Sequence, residues 1–418
     1  MRTPDSTIPT SPLSDTPLDV LRLDELRRRT SVKWRVFPPD VLPLFVAEMD
    51  TPVAPVVADA LQHAVASGDL GYDWGTAYGE ALASFAERRW SWDVNPARTR
   101  TVADVMVGIV EVLRVLTGPG DAVIVTPPVY PPFYGFVRNE GRQVLEAPLR
   151  DGRLDPAALE ATFERAVNPH GRRGSGSGRR AVLLLCNPHN PTGTAHTRAE
   201  LEAVLDLAAR FGVRVVSDEI HAPVAGPVTA PSSGVWGEFV PILSVPGSET
   251  AIALHSASKA YNLAGLRAAV AVAGPGAVAD LRRIPEEADH AVNHLAVLVH
   301  AAAYGDVSGW LDSVLAGVAR NRRLLDELLA QHAPALVHRP GAATYLAWVD
   351  ASAAVPAGGG EPLGDAPCPH FVREARVAFA DGRDFGTGGA GHVRINLATS
   401  VEVLTEAVQR VGASLAAD

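Results

Sequence analysis

Cysteine, lysine and long apolar runs are scarce in this chain, and each scarcity excludes something. Its 418 residues include two cysteines, Cys186 and Cys368, too few for a disulfide framework. Its apolar runs, such as "AVLLLC" and "AAVAVAG", fall far short of the about 20 residues that span a bilayer, so no membrane partner is expected. The opening stretch is rich in Pro, Ser and Thr and lacks the apolar core of a secretory signal. A disordered tail over 1–18 and a cytoplasmic location are the resulting expectations. The net charge of −10 argues against nucleic acid, which calls for a basic face. Lysine is the rarest of the charged residues: Lys33 and Lys259 stand among 37 basic side chains.

What is present is an ordinary globular composition, 47% apolar and 20% charged, on a chain long enough for a large domain with a smaller companion. "DAVIVTPP", "RAVLLLCNP", "VRVVSDE", "TAIALHSAS" and "AAVAVAG" are short continuous apolar runs, the pattern of parallel strands buried on both faces. Helical patterns lie between them. "TRAELEAVLDLAARFG" places Thr197 as N-cap and Gly212 as stop. Alternation of this kind predicts a doubly wound α/β sheet. The last third reads as a smaller α+β unit, including a helix around "HFVREARVAF" and a strand "GHVRINLA". "PHGRRGSGSGRR" (169–180) reads as a flexible surface loop.

In such sheets ligands sit beyond the carboxyl ends of the strands, and polar groups gather there. Tyr130, Asn190, Asp218 with His221, and Ser256, Ser258 and Lys259 each follow an apolar run. Lys259 is a surface charge or, held in an apolar pocket, a nucleophile able to join an aldehyde. Ser256 and Ser258 precede it and Arg267 follows, groups suited to phosphate. An amine among hydroxyls and a guanidinium suits a molecule with both an aldehyde and a phosphate, which is pyridoxal 5'-phosphate. Asp218 is then either a helix N-cap or the carboxylate that keeps that ring's nitrogen protonated. His221 is a core histidine or faces the phenolic oxygen, which Asn190 of the "NPTG" turn could also reach. Tyr130, between prolines, packs in the core or stacks on a flat ring. Gly108 stands where a phosphate-binding helix could begin. Arg394, in an apolar strand, needs a carboxylate, either internal or that of an amino-acid substrate.

Taken in chain order, Tyr130, "NPTG", "SDEIH", "SASKAYNLAGLR" and "VRINLA" resemble the fold-type-I pyridoxal-phosphate enzymes of the class I/II aminotransferase superfamily. The resemblance covers nearly the whole chain. It implies an aspartate aminotransferase-like fold: an N-terminal segment (19–50) packing with the small domain, a large cofactor-binding domain (51–288) and a small α+β domain (289–418). It implies Lys259 as the Schiff-base lysine, with Asp218 and Tyr130 completing the catalytic set, and Asn190 and His221 at the phenolic oxygen. Ser256, Ser258, Arg267 and the Ile109 and Val110 backbone would hold the phosphate, and Arg394 the substrate carboxylate. Tyr72 would reach the phosphate of a neighbouring subunit, which implies a homodimer with shared active sites.

Within the superfamily, "SVKWRV…LPLFVAEMDTPV", "DEIH" and "TPPVYPPF" resemble the cystathionine β-lyase-like, or C–S lyase, branch. Phe45, Glu48 and Thr51 depart from its usual Trp, Asp and Phe. The resemblance implies β-elimination of a thiol from L-cystathionine or a related cysteine S-conjugate. Transamination of an L-amino acid with a 2-oxoacid uses the same residues and is the alternative. A ligand-sensing regulator on this fold would need an added DNA-binding module, for which the segment before Val20 is short.

Overall fold

The computed structural model describes residues 16–168, 179–226, 239–339, 341 and 343–416. Most of the expected tail (1–15) and of the Gly/Ser/Arg loop (169–178) lie outside the described residues. The first strand, β1 (Leu42–Pro43), is short. The seven that follow form the larger sheet: β2 (Thr99–Val102), β3 (Ala122–Val125), β4 (Gln143–Glu146), β5 (Ala181–Cys186), β6 (Arg214–Asp218), β7 (Ile252–His255) and β8 (Ala269–Ala273). Their order is β2-β8-β7-β6-β5-β3-β4. The run from β7 to β4 is parallel, and β8 is antiparallel to both its neighbours.

Burial on both faces explains the continuous apolar runs. Along β5, Val182, Leu184 and Cys186 face a layer built on the helix Val105–Leu116, whereas Leu183 and Leu185 face one built on the helices Pro156–Val167 and Arg198–Phe211. The last of these starts in a reciprocal cap. Thr197 N–H donates to Glu200 Oε2 at 2.8 Å, and Glu200 N–H donates to Thr197 Oγ1 at 3.2 Å. It stops at Gly212, whose φ of 67° suits glycine.

A four-stranded antiparallel sheet closes the C-terminal part: β9 (Val337–His338), β10 (Leu346–Asp350), β12 (Ala380–Asp381) and β13 (His392–Asn396), ordered β12-β13-β10-β9. It packs on Leu325, Leu329, Phe371, Leu404 and Val408. β11 (Val377–Ala378) instead pairs in parallel with β1, and Leu42 and Leu44 join the smaller core. Helical turns cover only Cys368–Ala375 of the helix expected around "HFVREARVAF", because Arg376 is left-handed (φ 55°) and the chain then enters β11. The packing does not change at residue 289. Ala296, Val299 and Tyr304 share a core with Val57, Tyr78 and Phe85, and so do Val314 and Val318 of the helix Trp310–His332, whose later residues serve the smaller core. Among the described residues no helix is long and apolar enough to cross a membrane.

Candidate active site

Asp218 ends β6; Tyr130, Asn190 and Lys259 follow β3, β5 and β7 within a few residues. The parallel run points these strand ends the same way, into a cavity of ≈ 1080 Å³. Tyr130, Asn190, Asp218, His221, Ser256, Ser258, Lys259, Arg267 and Arg394 all line it.

Lys259 Nζ donates to the carbonyl of Ala47 at 3.1 Å. Burial lowers the amine's pKa to about 8; Arg394 acts in the same direction, while Asp218 and Glu48 oppose it. Burial pushes the Asp218 carboxyl the other way, up to about 7, against the hydrogen bond from Ile220 N–H at 3.1 Å and the nearby Lys259. His221 is held neutral: burial, then Lys259 and Arg394, depress its proton affinity well below the usual histidine range. Its Nδ1 is buried with no hydrogen-bond partner among the described residues. Burial raises the Tyr130 phenol to about 12, and its ring packs edge-on against Phe133. Arg394 donates to Asn190 Oδ1 at 3.0 Å and to Phe45 O at 2.8 Å, and its Nε is buried without a partner. No carboxylate pairs with it among the described residues.

The phosphate end differs from expectation. The helix begins at Val105, not Gly108, because Asp104 caps it: Val107 N–H donates to Asp104 Oδ1 at 2.7 Å and Gly108 N–H to Asp104 O at 2.8 Å. Ile109 and Val110 therefore lie inside the helix, where their N–H groups bond carbonyls four residues back. The amides without an intrahelical partner are those of Val105 and Met106, and these two residues line the cavity. Arg267 pairs with Asp104 at the same end. Ser256 Oγ donates to Ala268 O at 2.7 Å and accepts from Ser258 N–H at 3.2 Å, so it braces the turn. Tyr72 does not reach this cavity; it is 87% exposed on the single chain.

The sequence marked the strap of residues 45–51 through the side chains of Phe45, Glu48 and Thr51, but not the role of its main chain; Phe45, Val46 and Ala47 of this strap line the cavity. Its carbonyls are acceptors for the site. Phe45 O takes Arg394, Val46 O takes Asn396 (2.8 Å), and Ala47 O takes Lys259 and Tyr345 (3.1 Å each). Glu48 O takes Lys33 (3.0 Å) and Asn396 (2.7 Å). Beneath it Lys33 Nζ meets Asp50 Oδ2 at 2.8 Å, both side chains being buried. The rarity of lysine was a signal for Lys33 as much as for Lys259. Asn396 and Tyr345 carried none, because they act on main-chain atoms.

Residues 39–411 match the model of the aminotransferase class I and II family, and the chain belongs to that family. Its architecture is the aspartate aminotransferase-like fold of type I. A Mycobacterium leprae protein provisionally named a cystathionine beta-lyase is 50% identical over 414 residues, covering 96% of this chain and 99% of its own. The cystathionine beta-lyase of Corynebacterium glutamicum is 31% identical over 94% of this chain and 99% of its own. A Corynebacterium diphtheriae structure, provisionally described as a PLP-dependent beta-cystathionase, superposes with a TM-score of 0.83 at 29% identity, over 95% of this chain and 98% of that one.

Proposed function

We propose that this chain is a pyridoxal 5'-phosphate-dependent C–S β-lyase that cleaves L-cystathionine or a related cysteine S-conjugate to pyruvate, ammonia and a thiol. The observation that carries the reading is the meeting of Lys259, Asp218, Tyr130 and Arg394 in one cavity beyond the strand ends, in a chain 50% identical over nearly its whole length to a protein provisionally named a cystathionine beta-lyase. Burial lowers the amine to about 8 and raises the carboxyl to about 7. A buried carboxyl so raised has no cation in full contact, and a ring N–H⁺ would supply one.

The donor set fits the cofactor. Lys259 would hold its aldehyde carbon, Asp218 its ring nitrogen and Tyr130 its face. His221 and Asn190, whose Oδ1 is already taken by Arg394, would hold the phenolic oxygen. Val105 and Met106 amides, Ser258 and Arg267 would hold the phosphate. When bound, the cofactor supplies an electron sink for charge developing at Cα. Arg394 offers its planar fork to the substrate carboxylate. The substrate's amino group would displace Lys259 from the aldehyde carbon. The freed Lys259 amine would then take the Cα proton as general base, the thiolate would leave from Cβ, and the protonated Lys259 would return the proton to sulfur. Hydrolysis of the three-carbon remainder yields pyruvate and ammonia.

The assembly belongs to the same reading: a cytoplasmic homodimer with shared active sites, in which Tyr72 reaches the second subunit's phosphate. Its support is an aromatic pair left bare on the single chain, Tyr72 (87% exposed) and Trp74 (94%); a monomer by sedimentation would refute it.

The decisive experiment supplies the purified, cofactor-loaded protein with L-cystathionine and no 2-oxoacid. Pyruvate and free thiol formed together over many turnovers support the lyase, and Lys259→Ala should abolish both along with the bound-cofactor absorbance. Turnover only when a 2-oxoacid is added would make the chain an aminotransferase.

A further inference from the structure

Asn262 lies three residues beyond Lys259 in a left-handed backbone conformation, φ 56°, one that Asn adopts more readily than most residues with a side chain. Its carboxamide faces the strap. Met49 N–H donates to Asn262 Oδ1 at 2.8 Å, and Asn262 Nδ2 donates to Met49 O at 2.9 Å. Two bonds to one residue fix both distance and register, as a rung between antiparallel strands does. Two residues earlier, Ala47 O receives Lys259 Nζ. The loop 259–262 and the strap 47–49 therefore close a ring through two contacts, amine to Ala47 and amide to Met49.

We infer that Asn262 is a positioning residue, whose amide pins Met49 and so sets the Ala47 carbonyl against the Lys259 amine. The inference rests on Lys259 being the reacting amine. A carbonyl acceptor favours the charged ammonium, so misaligning it lowers the pH at which the amine loses its proton. The other groups facing that amine are Asp218 at the end of β6, His221 just beyond it, Arg394 on β13 and Glu48 on the strap. A change at Asn262 touches none of Asp218, His221 and Arg394 directly. Glu48, between Ala47 and Met49, moves with the strap, and because it too favours the charged amine its displacement acts in the same direction.

The test compares full-length wild type with Asn262→Gly, which keeps the left-handed turn at no steric cost and deletes the amide. Hydrogen exchange reads the Met49 N–H. The rate at which added pyridoxal 5'-phosphate is captured, followed by absorbance against pH, reads Lys259. In Asn262→Gly, exchange at Met49 rises at least about tenfold and the capture midpoint falls by about half a pH unit or more. In Asn262→Asp, which keeps the acceptor for Met49 N–H, exchange at Met49 lies between the two. Faster exchange with an unmoved capture midpoint would make Asn262 merely structural, and unchanged exchange would mean that Arg29, which also donates to Met49 O at 3.1 Å, holds the strap alone. Either overturns the inference while leaving the functional reading intact. A wild type that captures no cofactor overturns both.

Discussion

Replacing Asp218 by Asn should make the cofactor-free protein more stable while disabling its chemistry. Burial lifts the carboxyl from its ordinary 3.8 to about 7. Each tenfold change in proton affinity is worth about 1.36 kcal/mol, so the carboxylate form is disfavoured by about 4 kcal/mol in the folded state. The folded pKa is raised above the unfolded one. The penalty is therefore absent below about pH 4, grows as pH rises toward 7, and is complete above it. The carboxamide of Asp218→Asn does not titrate and carries no such slope. It can keep the Ile220 hydrogen bond through its oxygen, but its buried N–H2 group costs about 1–3 kcal/mol where unpartnered, leaving a net gain of about 2 kcal/mol at pH 8. Thermal midpoints of both proteins, stripped of cofactor and scanned from pH 4.5 to 8, should converge or cross at the acid end. At the alkaline end they should separate by a few degrees, with the variant on top. Added pyridoxal 5'-phosphate should then raise the wild-type midpoint more than the variant's, since only a carboxylate pairs with a ring cation. Parallel pH profiles would refute the reasoning, because they would mean that Asp218 titrates alike folded and unfolded.

Lys33→Met strands the Asp50 carboxylate beneath the strap and should cost about 3–5 kcal/mol in denaturant unfolding; the double variant Lys33→Met, Asp50→Leu should recover most of that loss. Arg394→Lys keeps a charge but loses the planar fork that reaches Asn190 and Phe45 together. Loss of about 1.5–3 kcal/mol of charged hydrogen bonding predicts a KM for L-cystathionine raised about tenfold to a hundredfold, with a smaller effect on kcat, read by steady-state kinetics.

The legible parts of the chain are those whose cause is local. Runs such as "AVLLLC" form buried strands because every residue in them is apolar, and Thr197 and Gly212 bound a helix because their own side chains, or the lack of one, decide it. The residues around Lys259 were findable because amine, hydroxyl and carboxyl types carry their chemistry visibly. The helix start was misread because Gly108 looks like a break, whereas Asp104 does the capping; the amides facing the cavity shift to 105 and 106 as a result. The packing change inside Trp310–His332 is invisible to periodicity, since one apolar stripe can serve two cores in succession. The main-chain role of the strap was illegible for a plainer reason. Its carbonyls exist at every position of every chain, and only the fold shows which of them meet Lys259, Arg394, Asn396 and Asn262.

That use of carbonyls bears on how such a site can diversify. An acceptor that belongs to the peptide bond survives nearly any substitution at its residue. The side chain of Phe45 can drift while its carbonyl still takes Arg394 and the Ala47 carbonyl still takes Lys259. Phe45, which also borders the cavity, becomes a position where selection can reshape the room for a leaving group and leave the reacting amine undisturbed.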